Sequence, residues 1–361
     1  MRKLWLFGAL IIFLMISVLP TQAQTIIPID VFAEHDRTTQ QLTLYFTNPV
    51  SGLSTPVIIE SFDSTKIATY EFTVAATGVL FKNPQTGQPT LATLDGRLMP
   101  HPFIPQQADS VSIDWVVSPD QNSIAWVEVF PSDTRWISNL YIADINGGTI
   151  EAIPLPPESS YDVYLRAMPV ALSNDRQWFY YDAGYPLDSG AYPDYHRLYT
   201  DLHRYNASTR THEQLYQEPF CICGAAAYGD RYVRLLNTDQ GIQPQIFDAT
   251  EPTPVNDLPT AFSLAGDVYM TDNRVVYYSQ SNNLFDDSVA AQFSLVQINL
   301  NTQMQTFISP PSAQRFTVQG ATDWGLVLVD VFGGATYKFE FATQALTLVS
   351  ENTWLGFINT N

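Results

Sequence analysis

Apolar residues recur at every second position in short runs along this chain, and the runs come in pairs. The clearest set climbs from Ser118-Pro119-Asp120-Gln121-Asn122 through Ser123-Ile124-Ala125-Trp126-Val127. It continues in Leu140-Tyr141-Ile142-Ala143-Asp144 and turns at Asn146-Gly147-Gly148. Period-two alternation bounded by Gly, Asn, Asp and Pro marks strands joined by tight turns. Hairpins of this kind are read at Leu91 to Phe103, Leu140 to Pro154, Leu202 to Tyr216, Ile246 to Leu258, Phe293 to Ile308 and Thr336 to Val349. Asp95-Gly96 and Asn146-Gly147 supply the positive φ that tight hairpins demand, whereas Ala249-Thr250 and Ala342-Thr343 are weaker turn signals.

Each hairpin follows an inner pair: Ile67 to Ala75 with Gly78 to Lys82, Ser110 to Val117 with Ser123 to Phe130, and Leu165 to Leu172 with Gln177 to Asp182. Further along come Gly224 to Tyr228 with Arg231 to Asn237, Phe262 to Met270 with Arg274 to Ser279, and Arg315 to Gln319 with Gly325 to Phe332. A four-strand unit repeating every roughly 40 to 60 residues is the signature of a radial β architecture, in which each sheet buries its faces against its neighbours. Leu42 to Thr47, Pro56 to Ser61 and Trp354 to Ile358 are left over at the two ends. Pairing strands from both termini in one sheet removes the exposed edges of an open ring. The fold class is therefore all-β, a β-propeller of seven four-stranded blades closed by a composite blade, with six or eight blades also compatible with the strand count.

At Ser118-Pro119-Asp120 and Leu140 to Gly148 the chain resembles the WD40-like propeller repeats of the TolB type, found in bacterial periplasmic proteins and in the propellers of prolyl-oligopeptidase-like peptidases. Pro119 presets φ for the turn and Asp120 can accept from nearby backbone amides, so one strand reverses sharply into the next. Leu172-Ser173-Asn174-Asp175 is a degraded echo. The resemblance implies a propeller that binds peptides, proteins or small ligands, and it transfers no catalytic residue.

The N-terminus changes the picture of where such a propeller works. Arg2 and Lys3 precede an apolar run from Leu4 to Leu19, followed by Pro20 and by Thr21-Gln22-Ala23 before Gln24. This is the order of a secretory signal peptide, and the run is shorter than the about 20 residues a membrane-spanning helix needs. Residues 1–23 are read as the signal peptide and 24–361 as one propeller domain, secreted, extracellular or periplasmic, without a stable membrane span and expected as a monomer. A formal charge of −19, with lysine only at Lys3, Lys66, Lys82 and Lys338, excludes nucleic acid as a natural partner, because phosphate binding needs clustered Lys and Arg. Cys221 and Cys223 stand one residue apart. An exported compartment favours pairing, yet such positions on an extended strand lie at the limit of what a disulfide spans, so a strained bond and two free thiols both stay open.

Catalytic signatures are missing: the chain has no Gly-x-Ser-x-Gly elbow, no His-Glu-x-x-His pair and no phosphate-binding glycine loop. His212-Glu213 lies in an outer strand and is read as surface. No cofactor and no metal are expected, although Asp182, Asp188 and Asp194 would offer oxygen ligands. In a propeller with strands a to d per blade, the b–c and d–a connections share one face. The longest connections here are b–c: Pro131 to Ser138, Ala183 to His196 and Gln280 to Ala291. Binding groups favour loops carried on a rigid scaffold. The candidate ligand-binding residues are accordingly Arg135, Trp136, Asp188, Tyr192, Asp194, Tyr195, His196, Asp286 and Asp287. The expected function is a non-catalytic exported propeller binding a protein, peptide or glycan through that face. The alternative is a secreted hydrolase or lyase acting on a polysaccharide or peptide, with loop carboxylates as acid and base.

Overall fold

The computed structural model describes residues 27–62, 72–104, 107–133, 135–155, 167–183, 199, 201–217, 224–238, 241–248, 251–254, 268–271, 275–281 and 292–359. All regular structure among them is strand, arranged as seven four-stranded antiparallel sheets. Blade 1 is composite: β1 (Ile29–Asp36), β2 (Gln41–Thr47) and β3 (Ser54–Ile59) come from the N-terminal end, and β28 (Thr353–Ile358) supplies the innermost strand. Blade 2 holds β4 (Thr73–Ala75), β5 (Gly78–Lys82), β6 (Pro89–Ala92) and β7 (Leu98–Pro100). Blade 3 holds β8 (Ser112–Val117), β9 (Ser123–Ser132), β10 (Arg135–Asp144) and β11 (Glu151–Pro154). Blade 4 follows with β12 (Met168–Leu172), β13 (Trp178–Asp182), β14 (Asp201–Asn206) and β15 (Thr211–Gln217). Blade 5 is β16 (Gly224–Tyr228), β17 (Arg231–Thr238), β18 (Gly241–Asp248) and β19 (Glu251–Pro254). Blade 6 is β20 (Tyr269–Met270), β21 (Val275–Ser281), β22 (Phe293–Asn299) and β23 (Met304–Phe307), and blade 7 is β24 (Phe316–Thr322), β25 (Gly325–Asp330), β26 (Thr336–Glu340) and β27 (Leu346–Ser350).

The seven-blade count and the shared closing blade agree with the sequence reading, with two corrections. The composite blade takes three N-terminal strands, because β1 precedes the pair recognised in the sequence. Most of the stretch 131–138, expected as a long loop, is strand: β9 runs to Ser132 and β10 starts at Arg135, with Pro131 paired to Trp136 and Ser132 opposite Arg135. Pro131 is tolerated because it lies beyond the stretch of β9 that pairs with β8, which ends at Ser112 opposite Val129, so its missing N–H breaks no inner ladder.

The middle strands of a blade are apolar on both sides because both sides are covered. Along β9, Ile124 and Trp126 pack into the core shared with blade 2, while Ala125, Val127 and Val129 pack into the core shared with blade 4. Similar clusters fill the junctions of blades 1 and 2, 4 and 5, 5 and 6, and 6 and 7. The junction of blades 7 and 1 is closed by the Trp354 ring and by hydrogen bonds. Trp354 donates its indole N–H to Asp30 at 3.0 Å and lies against Gly320 of blade 7, where a Cβ would stand 3.2 Å from the ring. Thr353 Oγ1 donates to the Gly334 carbonyl at 2.8 Å, and Thr336 Oγ1 donates to the Asn352 carbonyl at 2.6 Å.

Trp354 is 7% exposed and fills the space beside Gly320, so Trp354→Ala should lower stability by about 3–5 kcal/mol. Trp324→Ala, which removes a ring 42% exposed that stacks under Lys338, should cost about 1 kcal/mol or less. Urea denaturation of both variants against the parent checks the contrast, and equal losses would mean that the seam does not depend on Trp354.

Candidate functional site

The two faces of the ring are built differently. On the face of the a–b turns, Ser118 Oγ donates to Asp120 at 2.6 Å and accepts the Ser123 N–H at 3.0 Å, while Asp120 accepts from the Asn122 N–H at 3.2 Å. The echo in blade 4 folds the same way: Ser173 Oγ donates to Asp175 at 2.6 Å and accepts the Trp178 N–H at 3.0 Å. Gln121 and Arg176 take equivalent left-handed positions at φ 63° and 60°. These turns are then tied to one another. The Asp120 N–H donates to the Asn174 side chain at 3.0 Å, and Asn174 in turn donates to the Tyr228 hydroxyl at 3.4 Å. Gln121 reaches the C-terminal tail, donating to the Phe357 carbonyl at 2.6 Å and accepting the Asn359 N–H at 3.1 Å.

The opposite face, formed by b–c and d–a connections, carries two cavities among the described residues. A cavity of 250 Å³ opens at the seam of blades 7 and 1. Glu34, His35 and Arg37 at the upper end of β1 meet Phe332 to Gly334, on the b–c connection of blade 7, and Glu351 and Asn352, on the last d–a connection. His35 Nε2 lies 3.2 Å from the Phe62 carbonyl, with its ring edge-on to Phe62. Glu34 accepts the Tyr45 hydroxyl at 2.6 Å, and this contact pushes the Tyr45 phenol up from its ordinary value. Asp330 shapes the facing turn by accepting the Phe332 N–H at 2.9 Å, which leaves the Phe332 ring 49% exposed. One guanidinium, one imidazole, two carboxylates and one aromatic ring around such a space suit a polar ligand bearing both charges or many hydroxyls.

A second group of polar side chains sits on blade 4. Asp182 at the end of β13 is fully buried and accepts the Asp201 N–H at 2.9 Å. Asp201 also pairs with His203 Nε2 at 2.9 Å and accepts from Gln214 at 2.8 Å. Burial would raise the Asp201 carboxyl, but the contacts from His203 and Gln214 outweigh it and hold the group below its ordinary value. His212, expected at the surface, is half-buried: its Nδ1 meets the Tyr181 hydroxyl at 3.1 Å, and burial, helped by His203, pushes its ring down. Glu213 is held by the buried Arg204 at 2.8 Å.

A second cavity, 420 Å³, opens on blade 2 between Asn83, Pro89, Leu98 and the buried His101. A fourth feature, an apolar cavity of 310 Å³, lies between blades 6 and 7 under Pro310 and Pro311.

Of the residues singled out from the sequence, Trp136 lies on the b–c hairpin of blade 3, half-buried against the core shared with blade 4, and Arg135 stands opposite Ser132 at the tip of that hairpin. Asp188, Tyr192, Asp194, Tyr195, His196, Asp286, Asp287, Cys221 and Cys223 lie outside the described residues, as does the signal segment. The seam residues Glu34, His35, Arg37 and Glu351 were missed. The usable signal was closure itself, since strands from the two ends of the chain that share a blade bring their flanking turns together.

Burial pushes His101 down to about 4, and its Nδ1 has no hydrogen-bond partner among the described residues. The unfolded chain takes up this proton near pH 6.5 and the folded chain only near 4, so stability is lost as pH falls through that window. The contribution is on the order of 2 kcal/mol after screening at the cavity mouth. His101→Phe, which keeps a ring against Phe103, should reduce the loss of stability between pH 7 and 4 in urea titrations. An unchanged pH dependence would mean that His101 titrates normally in the folded chain.

No family model matches the chain, and no curated protein matches it. Solved structures do. The chain is similar to a structure described as TolB from Agrobacterium tumefaciens, at 11% identity over 78% of this chain and 87% of that one, with a TM-score of 0.43. It is also similar to the β-propeller domain of the Trilobed protease from Pyrococcus furiosus, at 14% identity over 92% and 97%, with a TM-score of 0.43. The acylaminoacyl peptidase of Pyrococcus horikoshii aligns at 11% identity with a TM-score of 0.51; 89% of this chain is covered, and it spans half the length of the peptidase. The β-propeller fold rests on the seven four-stranded sheets themselves, and at 11% identity the likeness to the acylaminoacyl peptidase agrees with that fold alone.

Proposed function

We propose that the chain is an exported, non-catalytic propeller of the TolB-like, WD40-repeat kind, whose residues 24–361 form one domain after removal of the signal peptide. It binds a protein, peptide or glycan through the face of the b–c and d–a connections. One observation carries this reading: the cavities at the blade 7–1 seam and on blade 2 are lined by b–c and d–a connections, whereas on the other face the a–b turns of blades 3 and 4 are short and bonded across to their neighbours. Rigid turns below and varied connections above are how a scaffold presents a recognition surface. The basic, apolar and small-residue order at the N-terminus supports export, and no helix among the described residues is long and apolar enough to cross a membrane.

Purified residues 24–361 applied to peptide and glycan arrays should give ligands whose binding falls at least tenfold, about 1.4 kcal/mol, in the double variant Arg37→Ala and Glu351→Ala. Trp324→Ala on the other face should leave binding unchanged. Loss with Trp324→Ala but not with the seam variant would move the site to the opposite face. Turnover of any array substrate would replace the binding reading with an enzymatic one.

A further inference from the structure

The outermost strand of every blade presents unpaired N–H and C=O groups, and most of these edges are blunted. Pro56 interrupts β3, Pro100 ends β7, Glu151 opens β11, Glu213 charges β15 and Pro252 interrupts β19. Charges and prolines at such positions are the usual guards against strand addition. Only β23 and β27 carry neither, and they belong to adjacent blades. β23 is four residues long, and its Gln305 turns inward. β27 reads Leu-Thr-Leu-Val-Ser, with Leu346 40%, Leu348 46% and Val349 57% exposed.

The register says where these side chains go. Leu346 stands opposite Phe339 and Leu348 opposite Tyr337, so both leucines share the face that carries Phe339 into the core with blade 6. Along that face lies the 310 Å³ cavity, lined by Leu295, Phe316, Phe339 and Leu346. It also contains Ser279, 6% exposed, whose hydroxyl has no partner among the described residues. Its volume is about twice that of an apolar protein cavity of about 150 Å³ that takes benzene. A register shift at Val349 confines regular pairing to the Leu346 end of the strand.

We propose that the β27 edge, with the cavity beside it, takes an extended segment of a basic partner polypeptide as an added strand. The edge selects the occupant, because only an extended backbone matches a row of alternating donors and acceptors. Charge selects the partner. A second copy would bring another net −19 to an uncharged edge, whereas a basic polypeptide is drawn to the chain and can set apolar residues on the edge. Strand addition sends alternate side chains toward blade 6, so the segment has apolar residues two apart, one of which enters the cavity.

The probe is the acetylated, amidated peptide Lys-Thr-Val-Thr-Phe-Thr-Lys, titrated against residues 24–361 by fluorescence anisotropy. It should bind below about 1 mM, and the double variant Leu346→Thr and Leu348→Thr should weaken it at least tenfold. Both leucines are exposed, so that variant should keep the parent's unfolding midpoint. Two altered peptides should bind at least tenfold more weakly: one with proline for its central threonine, the other with glutamates for lysines. If the leucine variant does not fold, the proline peptide alone decides. No binding up to about 1 mM, or equal binding of the proline peptide, overturns the proposal. A dimer of the parent in sedimentation velocity that is lost in the leucine variant also overturns it, assigning the edge to a second copy.

Discussion

Closure of the ring is the constraint on which everything else depends. Each blade has two apolar faces and no core of its own, so an open array would leave one face bare at each end. The antiparallel pairing of β1 with β28 removes both faces, from Ile29 opposite Ile358 to Ala33 opposite Thr353. The remaining junctions are made between consecutive stretches of chain, with clusters such as Ile113, Trp115 and Trp126 filling the space between blades 2 and 3. The last junction joins the two ends of the chain. There one indole spans three elements, packing on Gly320, donating to Asp30 and standing in the ladder of β28.

The same logic separates the faces. Because a–b and c–d turns join strands already paired, they can be short, and a Ser and an Asp two apart suffice to satisfy their amides. Once regular, such turns meet across blade boundaries, as Asp120 meets Asn174 and Asn174 meets Tyr228. The d–a connections must step from the rim of one blade to the axis of the next, and some b–c connections are long as well, so the longer connections collect on that side. The cavities at the blade 7–1 seam and on blade 2 open between such connections.

What could be read in the sequence follows burial. β9 was legible because Ile124 to Val129 is apolar on both faces, and β26 to β27 because Thr336 to Val349 alternates around a turn. β1 was not, because its inward residues are Val31, Ala33 and His35, two of them weak signals, while Asp30, Glu34 and Asp36 make the run look like a charged linker. The hairpin at 131–138 was hidden by Pro131, Ser132 and Asp133, residues that ordinarily mark loops and here end two long strands. The echo at Ser173 was more faithful than its sequence suggested, since Asn174 replaces Pro119 without altering the bonds made by Ser173 and Asp175. The seam cavity was beyond any local pattern, because His35 and Glu351 meet only through the closed ring.

That origin gives the seam a property the other cavities lack. Arg37 belongs to the first strands of the chain and Glu351 to the last, so a ligand held between them contacts both partners of the closure. Whatever binds only the closed ring stabilises it by mass action, by about 2.7 kcal/mol at a hundredfold excess over Kd. The junction closed by hydrogen bonds and a single ring rather than by a full apolar cluster is then the one that a ligand can reinforce. A ligand held there would touch Gly334, Asn352 and Thr353, which also take part in the hydrogen bonds that close the ring, at a junction that lacks the alternating aliphatics found at the others.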